Sequence, residues 1–413
     1  MSPRRLDLRI LCEVGAPIGS VLGSWPTLPL VVRFDVGQNS KSRPMPRNIM
    51  VALRRPDRLC EIDLQVTSSM TKSIVEAIQK PCQALECIWI TVKDASGPSS
   101  IIVRNAFLGG SAAHLKKIKL DGISFPFPEM RRVLLSTNNN LIELHLSNIP
   151  NAVYFSPDDL VSGLSTLGQL KRLTVGFYSP ASSPPPSVIR PPPQRTTLPS
   201  LTSLGFHGTS EYLEEFVARV DLPALYRITI RLFNQIFFEI PQFCEFIPHI
   251  NRLSSPNRVF VTHSVDFVSV LFEQDDNPSN EYCILGTSCK RLDWQLSFVA
   301  QISSQLSPLL STVRLLSIEK AHELPIGEED VASSQWLELF QPYTHVTQVD
   351  VWEEQLVPGI VQALVAGHMA TEILPELTRL YLNKYPRTSS VEKAAEQFVA
   401  ICETSGRTVS LFS

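Results

Sequence analysis

The side chains with the widest chemical reach in this sequence are eight cysteines and eight histidines. A zinc site would need four such ligands at short paired spacings, and a nucleophile would need a base within reach. The cysteines are Cys12, Cys60, Cys82, Cys87, Cys244, Cys283, Cys289 and Cys402, with no Cys-x-x-Cys among them. Reduced structural thiols are expected, with Cys60 and Cys87 in apolar surroundings. The histidines lie far apart in sequence, so no nucleophile–base pair can be nominated. Asp275-Asp276 with Glu281 lacks the alternating spacing of a calcium loop and reads as a solvated turn. Gly109-Gly110-Ser111 meets no basic residue before Lys116, which favours a helix–strand turn over a phosphate cradle. Glu328-Glu329-Asp330 reads as the front of a helix, where the dipole favours negative charge. The phosphate-loop, dinucleotide, zinc-protease and nucleophile-elbow motifs are all absent. The expectation is a non-enzyme without cofactor or metal, whose chemistry is that of binding.

Composition narrows what could be bound. The chain has 413 residues, 44% of them hydrophobic and 19% charged, which favours a large buried core over disorder. Lys plus Arg number 37 against 40 Asp plus Glu, a net charge of -3, so neither nucleic acid nor an acidic membrane surface is an expected partner. No apolar run approaches the roughly 20 residues that span a bilayer. The N-terminus alternates charge with aliphatics, where a signal peptide needs a continuous apolar stretch. A cytoplasmic monomer is expected, with the nucleus as the alternative address.

The elements that would position a binding surface follow from an internal repeat. Leu59-x-x-Ile62-x-Leu64 recurs from Leu85, Leu115, Leu141, Leu170, Leu201 and Leu225, and then from Val313, Val346 and Leu377. Successive starts differ by 26, 30, 26, 29, 31 and 24 residues, and later by 33 and 31. The fourth and sixth positions share one face of a strand, and the spacing leaves room for a crossover. Thr71 to Ile78, Ser156-Pro157-Asp158-Asp159 and Ser210 onward read as helix starts or faces. The predicted fold is therefore α/β: an irregular leucine-rich-repeat solenoid, a curved parallel sheet with helical crossovers. Residues 1–55 form an N-terminal cap, 56–385 the solenoid and 386–413 a C-terminal cap. A Pro-rich loop occupies 180–199. The segment 234–312 is irregular, with Phe260/Val261, Val265 to Leu271 and Leu292 to Leu296 as degenerate strands.

On each strand, the residue between the paired apolar positions points away from the core. That row reads Asp63, Trp89, Lys119, His145, Thr174, Gly205, Thr229, Ser317, Asp350 and Tyr381. The next reads Gln65, Thr91, Asp121, Ser147, Gly176, His207, Arg231, Glu319, Trp352 and Asn383. Trp89, Trp352 and Tyr381 are the expected anchors, because aromatics on a polar face are enriched at binding hot spots. Lys119, His145, Arg231 and Asp350 complete the candidate site. Lys116, Lys117 and Lys119 make a small basic patch near His114.

Several phrases resemble a large family of basidiomycete, mushroom-type F-box proteins with a leucine-rich-repeat-like region. They include Ser2-Pro3-Arg4-Arg5-Leu6-Asp7-Leu8, Phe107-Leu108-Gly109-Gly110-Ser111-Ala112-Ala113-His114-Leu115 and Ser210-Glu211-Tyr212-Leu213-Glu214-Glu215-Phe216. The resemblance implies an adaptor that brings a protein target to a cullin-RING ubiquitin ligase, with the repeats gripping the target. The family's F-box would precede Ser2, where this sequence starts. The expectation is thus a target-binding module lacking its ligase-docking part, with the ligase as partner only where an F-box stands upstream. A stand-alone scaffold, or a small-ligand receptor using the concave face, is the alternative.

Overall fold

The computed structural model describes residues 6–7, 19, 22–23, 27–37, 47–93, 101–102, 107–137, 139–178, 195–233, 238–250, 255–274, 282–320, 332–368, 373–382 and 389–412. Most of the expected Pro-rich loop, the Asp275-Asp276/Glu281 turn, Glu328-Glu329-Asp330, Cys12 and Asn383 lie outside these residues. The chain divides into two compact units. One comprises Met1–Gly208 with Glu215–Ala224, the other Thr209–Glu214 with Leu225–Ser413.

In the first unit, eight parallel strands lie in chain order. They are β1 (Leu6–Asp7), β2 (Leu30–Asp35), β3 (Leu59–Val66), β4 (Cys87–Val92), β5 (Lys117–Asp121), β6 (Glu143–Ile149), β7 (Arg172–Phe177) and β8 (Ser203–Gly208). The repeat sets the register. Ile62, Ile88, Ile118, Leu144, Leu173 and Leu204 are successive partners, as are Leu64, Ile90, Leu120, Leu146, Val175 and Phe206. All are buried, and so is the first leucine of each motif from Leu59 to Leu201. Each such leucine contributes about 2 kcal/mol by leaving water.

Helices α1 (Arg47–Leu53), α2 (Ser68–Ala77), α3 (Phe127–Ser136) and α4 (Pro157–Leu164) supply crossovers. Helix α4 starts on a reciprocal cap: Ser156 Oγ accepts from the Asp159 amide at 3.1 Å, and the Asp159 carboxylate accepts from the Ser156 amide at 3.2 Å. Between β4 and β5 the described residues include a short turn, Phe107–Gly110, as Gly109-Gly110 suggested. Gly109 has φ +60°, and a Cβ there would lie 2.6 Å from the Pro81 backbone nitrogen, so no other residue fits. Stacked repeats that bury one another's apolar edges in this way are the leucine-rich-repeat type of solenoid.

The second unit departs from an all-parallel stack. Its strands are β9 (Arg227–Leu232), β10 (Arg258–His263), β11 (Val268–Glu273), β12 (Tyr282–Thr287), β13 (Leu315–Lys320), β14 (Gln348–Val351), β15 (Arg379–Leu382) and β16 (Ser410–Phe412). Their spatial order is β9-β12-β11-β10-β13-β14-β15-β16. Strands β10, β11 and β12 form an antiparallel meander, and its two ends pair in parallel with β13 and β9. The cause is loop length. Residues 264–267 between β10 and β11 are too few for the dozen or more that a parallel crossover requires. The expected degenerate strand at Leu292 to Leu296 is instead the start of helix α5 (Leu292–Gln305). Leu292, Leu296, Val299 and Ile302 recur at helical spacing and are all buried.

Helices α6 (Ser333–Phe340), α7 (Val357–His368) and α8 (Ser389–Thr404) follow, each packed on its predecessor from α5 onward. Trp336 of α6 is buried and stacks on Phe340 with ring centroids 6.3 Å apart. Tyr343 shares a buried hydrogen bond with Ser303 at 2.8 Å. At the end of β10, His263 is fully buried, and its Nδ1 lies 3.0 Å from Gln295 Oε1. Gln295 Nε2 already donates to the carbonyls of Ser264 and Cys289 at 2.7 and 2.8 Å. Oε1 must therefore accept, and the imidazole proton sits on Nδ1.

Candidate functional site

Strand parity sends alternate side chains to the face opposite the helices. In the first unit one such row reads Glu61, Cys87, Lys117, Glu143 and Arg172 across β3 to β7. Cys87, expected in apolar surroundings, therefore lies half-exposed among charges. Glu143 bonds Lys117 Nζ at 3.0 Å and also Arg172. Burial pushes the Glu143 carboxyl up, but the two cations outweigh it and hold it below the usual carboxylate range. Arg33 joins Glu61 at 2.8 Å and Asp7 at 3.0 Å. These charges are satisfied by one another.

The neighbouring row brings three candidate residues together. Trp89, Lys119 and His145 are consecutive partners on β4, β5 and β6, with Asp63 before and Thr174 after them. Trp89 is 36% exposed, and Lys119 is exposed without an ion pair among the described residues. His145 is half-buried. Burial lowers its pKa, and Lys119 and Arg172 add to that against the opposing pull of Glu143.

In the second unit Asp350, Trp352 and Tyr381 come together on β14 and β15, and Arg231 does not join them. Arg231 lies on β9, five strands from β14 in the sheet order, with its guanidinium 4.4 Å above the Phe267 ring. Asp350 corrects an expectation. It occupies the outward row, between Ser317 and Tyr381, yet it is only 9% exposed, and Ser317 is 1% exposed. Trp352, just beyond β14, is 48% exposed, and its amide donates to the Ile318 carbonyl at 2.9 Å. Its ring lies 5.9 Å from that of Tyr381, which in turn stacks 6.3 Å from Phe412.

Reasoning from the repeat missed four residues of this row. Ile284, Leu271 and Phe260 fill it between Thr229 and Ser317, and Phe412 ends it at 44% exposure. Their signal was the period-two alternation Val259/Val261 and Val268/Val270/Phe272, which marks strands without the repeat consensus. Two cavities, of about 430 and 380 Å³, lie off these rows. The first is lined by Pro126, Phe127, Pro128, Tyr154 and Asp159, the second by Asp266, Cys289, Lys290, Arg291 and Trp294. Among the described residues no three His, Cys, Asp or Glu side chains are grouped to hold a metal ion, and no helix is long and apolar enough to cross a membrane.

No family model and no curated protein matches the sequence. Among solved structures, the chain is similar to the leucine-rich repeat-containing protein LegL7 from Legionella pneumophila. The identity is 13%, the match covers 78% of this chain and 93% of that one, and the TM-score is 0.31.

Proposed function

We propose that the chain is a non-enzymatic protein-recognition module that grips a protein target with the outward faces of its sheets. The observation that carries this reading is the exposure of large aromatics on outward strand faces, Trp89 beside Asp63 and Lys119 in one unit and Trp352 and Phe412, with half-buried Tyr381 between them, in the other. A tryptophan left partly wet forgoes burial that folding could have used, and such residues anchor interfaces. The resemblance to F-box proteins supports a destination for the target, presentation to a cullin-RING ubiquitin ligase where an F-box stands upstream.

The test is capture by the immobilised chain, with the target identified by cross-linking and its affinity then measured. Trp352→Ala should leave the unfolding midpoint unchanged and weaken target binding tenfold or more. Equal binding by wild type and variant would remove Trp352 as an anchor. If a longer form carrying an F-box is expressed and captures no cullin subunits, the ubiquitin reading fails and a stand-alone scaffold remains.

A further inference from the structure

We propose that the outward face of β13 to β15 binds an arginine side chain of an extended basic peptide in the target, an inference that rests on the protein-recognition reading. The argument begins with Asp350. A carboxylate nine-tenths buried ordinarily has a cation against it, because an unpaired buried charge is costly. Among the described residues Asp350 accepts only from Gln348 Nε2, at 2.9 and 3.2 Å, and forms no ion pair. Arg258 attracts it without touching it, and burial raises the carboxyl above its usual range. Glu319, one row toward the strand C-termini, accepts from Ser317 Oγ at 3.0 Å and also makes no ion pair among the described residues.

The surrounding charge has a direction. Beyond Asp350 on the Trp352 side lie Glu319, Glu353 and Glu354, and the ion pair found there among the described residues is Lys320 with Glu353 at 3.3 Å. Arg379 and Gln348 lie in the row on the opposite side. A cation from a partner is therefore favoured from the Trp352 side.

That approach passes over the Trp352–Tyr381–Phe412 ladder. Guanidinium groups stack on aromatic faces and present a planar fork that matches a carboxylate, whereas an ammonium does the first less well and the second not at all. The arrangement thus combines a buried carboxylate that forms no ion pair among the described residues, an acidic surround and an aromatic wall. Each of these is a feature an arginine would satisfy.

The experiment is fluorescence anisotropy with the full chain and three labelled heptapeptides, in which glycine alternates with arginine, lysine or glutamate. The arginine peptide should bind best, weaken as salt rises, and lose at least tenfold in affinity in both Asp350→Asn and Trp352→Ala. Asp350→Asn keeps the shape and removes a buried charge, so its melting temperature should equal or exceed that of wild type. Glu319→Gln serves as the second variant and should lose several-fold. Three results would each overturn the proposal: glutamate peptide binding as tightly as arginine, affinity for the arginine peptide within twofold of wild type in Asp350→Asn, or no binding by any peptide. Target capture that Trp352→Ala abolishes would still stand in those cases, which separates failure of this proposal from failure of the recognition reading.

Discussion

Acidification from pH 7 to pH 4 is expected to remove roughly 3 kcal/mol of stability from the second unit through His263 alone. Burial pushes this imidazole down to about 4, against the opposing hydrogen bond to Gln295. An unfolded histidine titrates near 6.5. Below that pH the unfolded chain takes up a proton that the folded chain refuses, so stability is fully present above about 6.5 and is lost progressively toward 4. Glu214 acts in the opposite sense. Burial raises its carboxyl to about 6, although it accepts from the backbone amides of Gln242 and Phe243 at 2.7 and 2.9 Å. Its folded form holds a proton longer, so stability rises by about 1 to 2 kcal/mol as pH falls from 6 through 4.5. The two contributions offset, so the wild-type profile should fall by only about 1 kcal/mol in all between pH 7 and 4. In Glu214→Gln the loss should reach about 3 kcal/mol at pH 4, and in His263→Asn stability should instead rise as the pH falls from 6 to 4. Urea unfolding at pH 7, 6, 5 and 4 measures all three profiles. Superimposable profiles for wild type and Glu214→Gln would show that the carboxyl titrates normally.

Trp336→Ala is expected to cost about 3 to 5 kcal/mol, because it empties a buried site between α6 and α7 that the surroundings cannot fill. The ring stacks on Phe340, and a Cβ at Gly359 would stand 3.0 Å from its Nε1, so the fit is close on two sides. Against a typical total stability of about 5 to 15 kcal/mol, a loss of that size would leave much of the protein unfolded at 37 °C. The matched control is Trp352→Ala, which deletes the same side chain from a half-exposed place and should change stability by about 0.5 kcal/mol or less. Denaturant midpoints of the two variants, measured side by side, separate core from recognition face. Equal losses would mean that Trp352 is structural.

What the sequence disclosed and what it hid have the same origin in neighbour relations. The register of β3 to β8 was legible because each strand meets the next copy of its own motif, so Ile62 could be placed beside Ile88 from spacing alone. The meander was not legible. Its strands carry only alternation, which marks a strand and says nothing of its direction, and Leu292 to Leu296 satisfies a strand and a helix equally over five residues. The outward parity of Asp350 was legible, whereas its burial was not, since alternation fixes the face a side chain leaves from and not how much of it the neighbours cover. Arg231 stays apart from the group because three strands, two of them expected as degenerate strands and β12 not, stand between β9 and β13.

The meander also sets the order in which the chain can assemble as it is made. Leu315 on β13 finds Gln348 on β14 after 33 residues, a single repeat's length. Arg227 on β9 must wait 55 residues for Tyr282, and Arg258 on β10 waits 57 for Leu315. Non-local pairings carry the larger loop-closure entropy and slow folding. A ribosome releasing this chain would therefore have to deliver β9 well before its neighbour exists. A truncation ending anywhere between residues 233 and 281 would leave β9 without β12, the strand that pairs with its far edge.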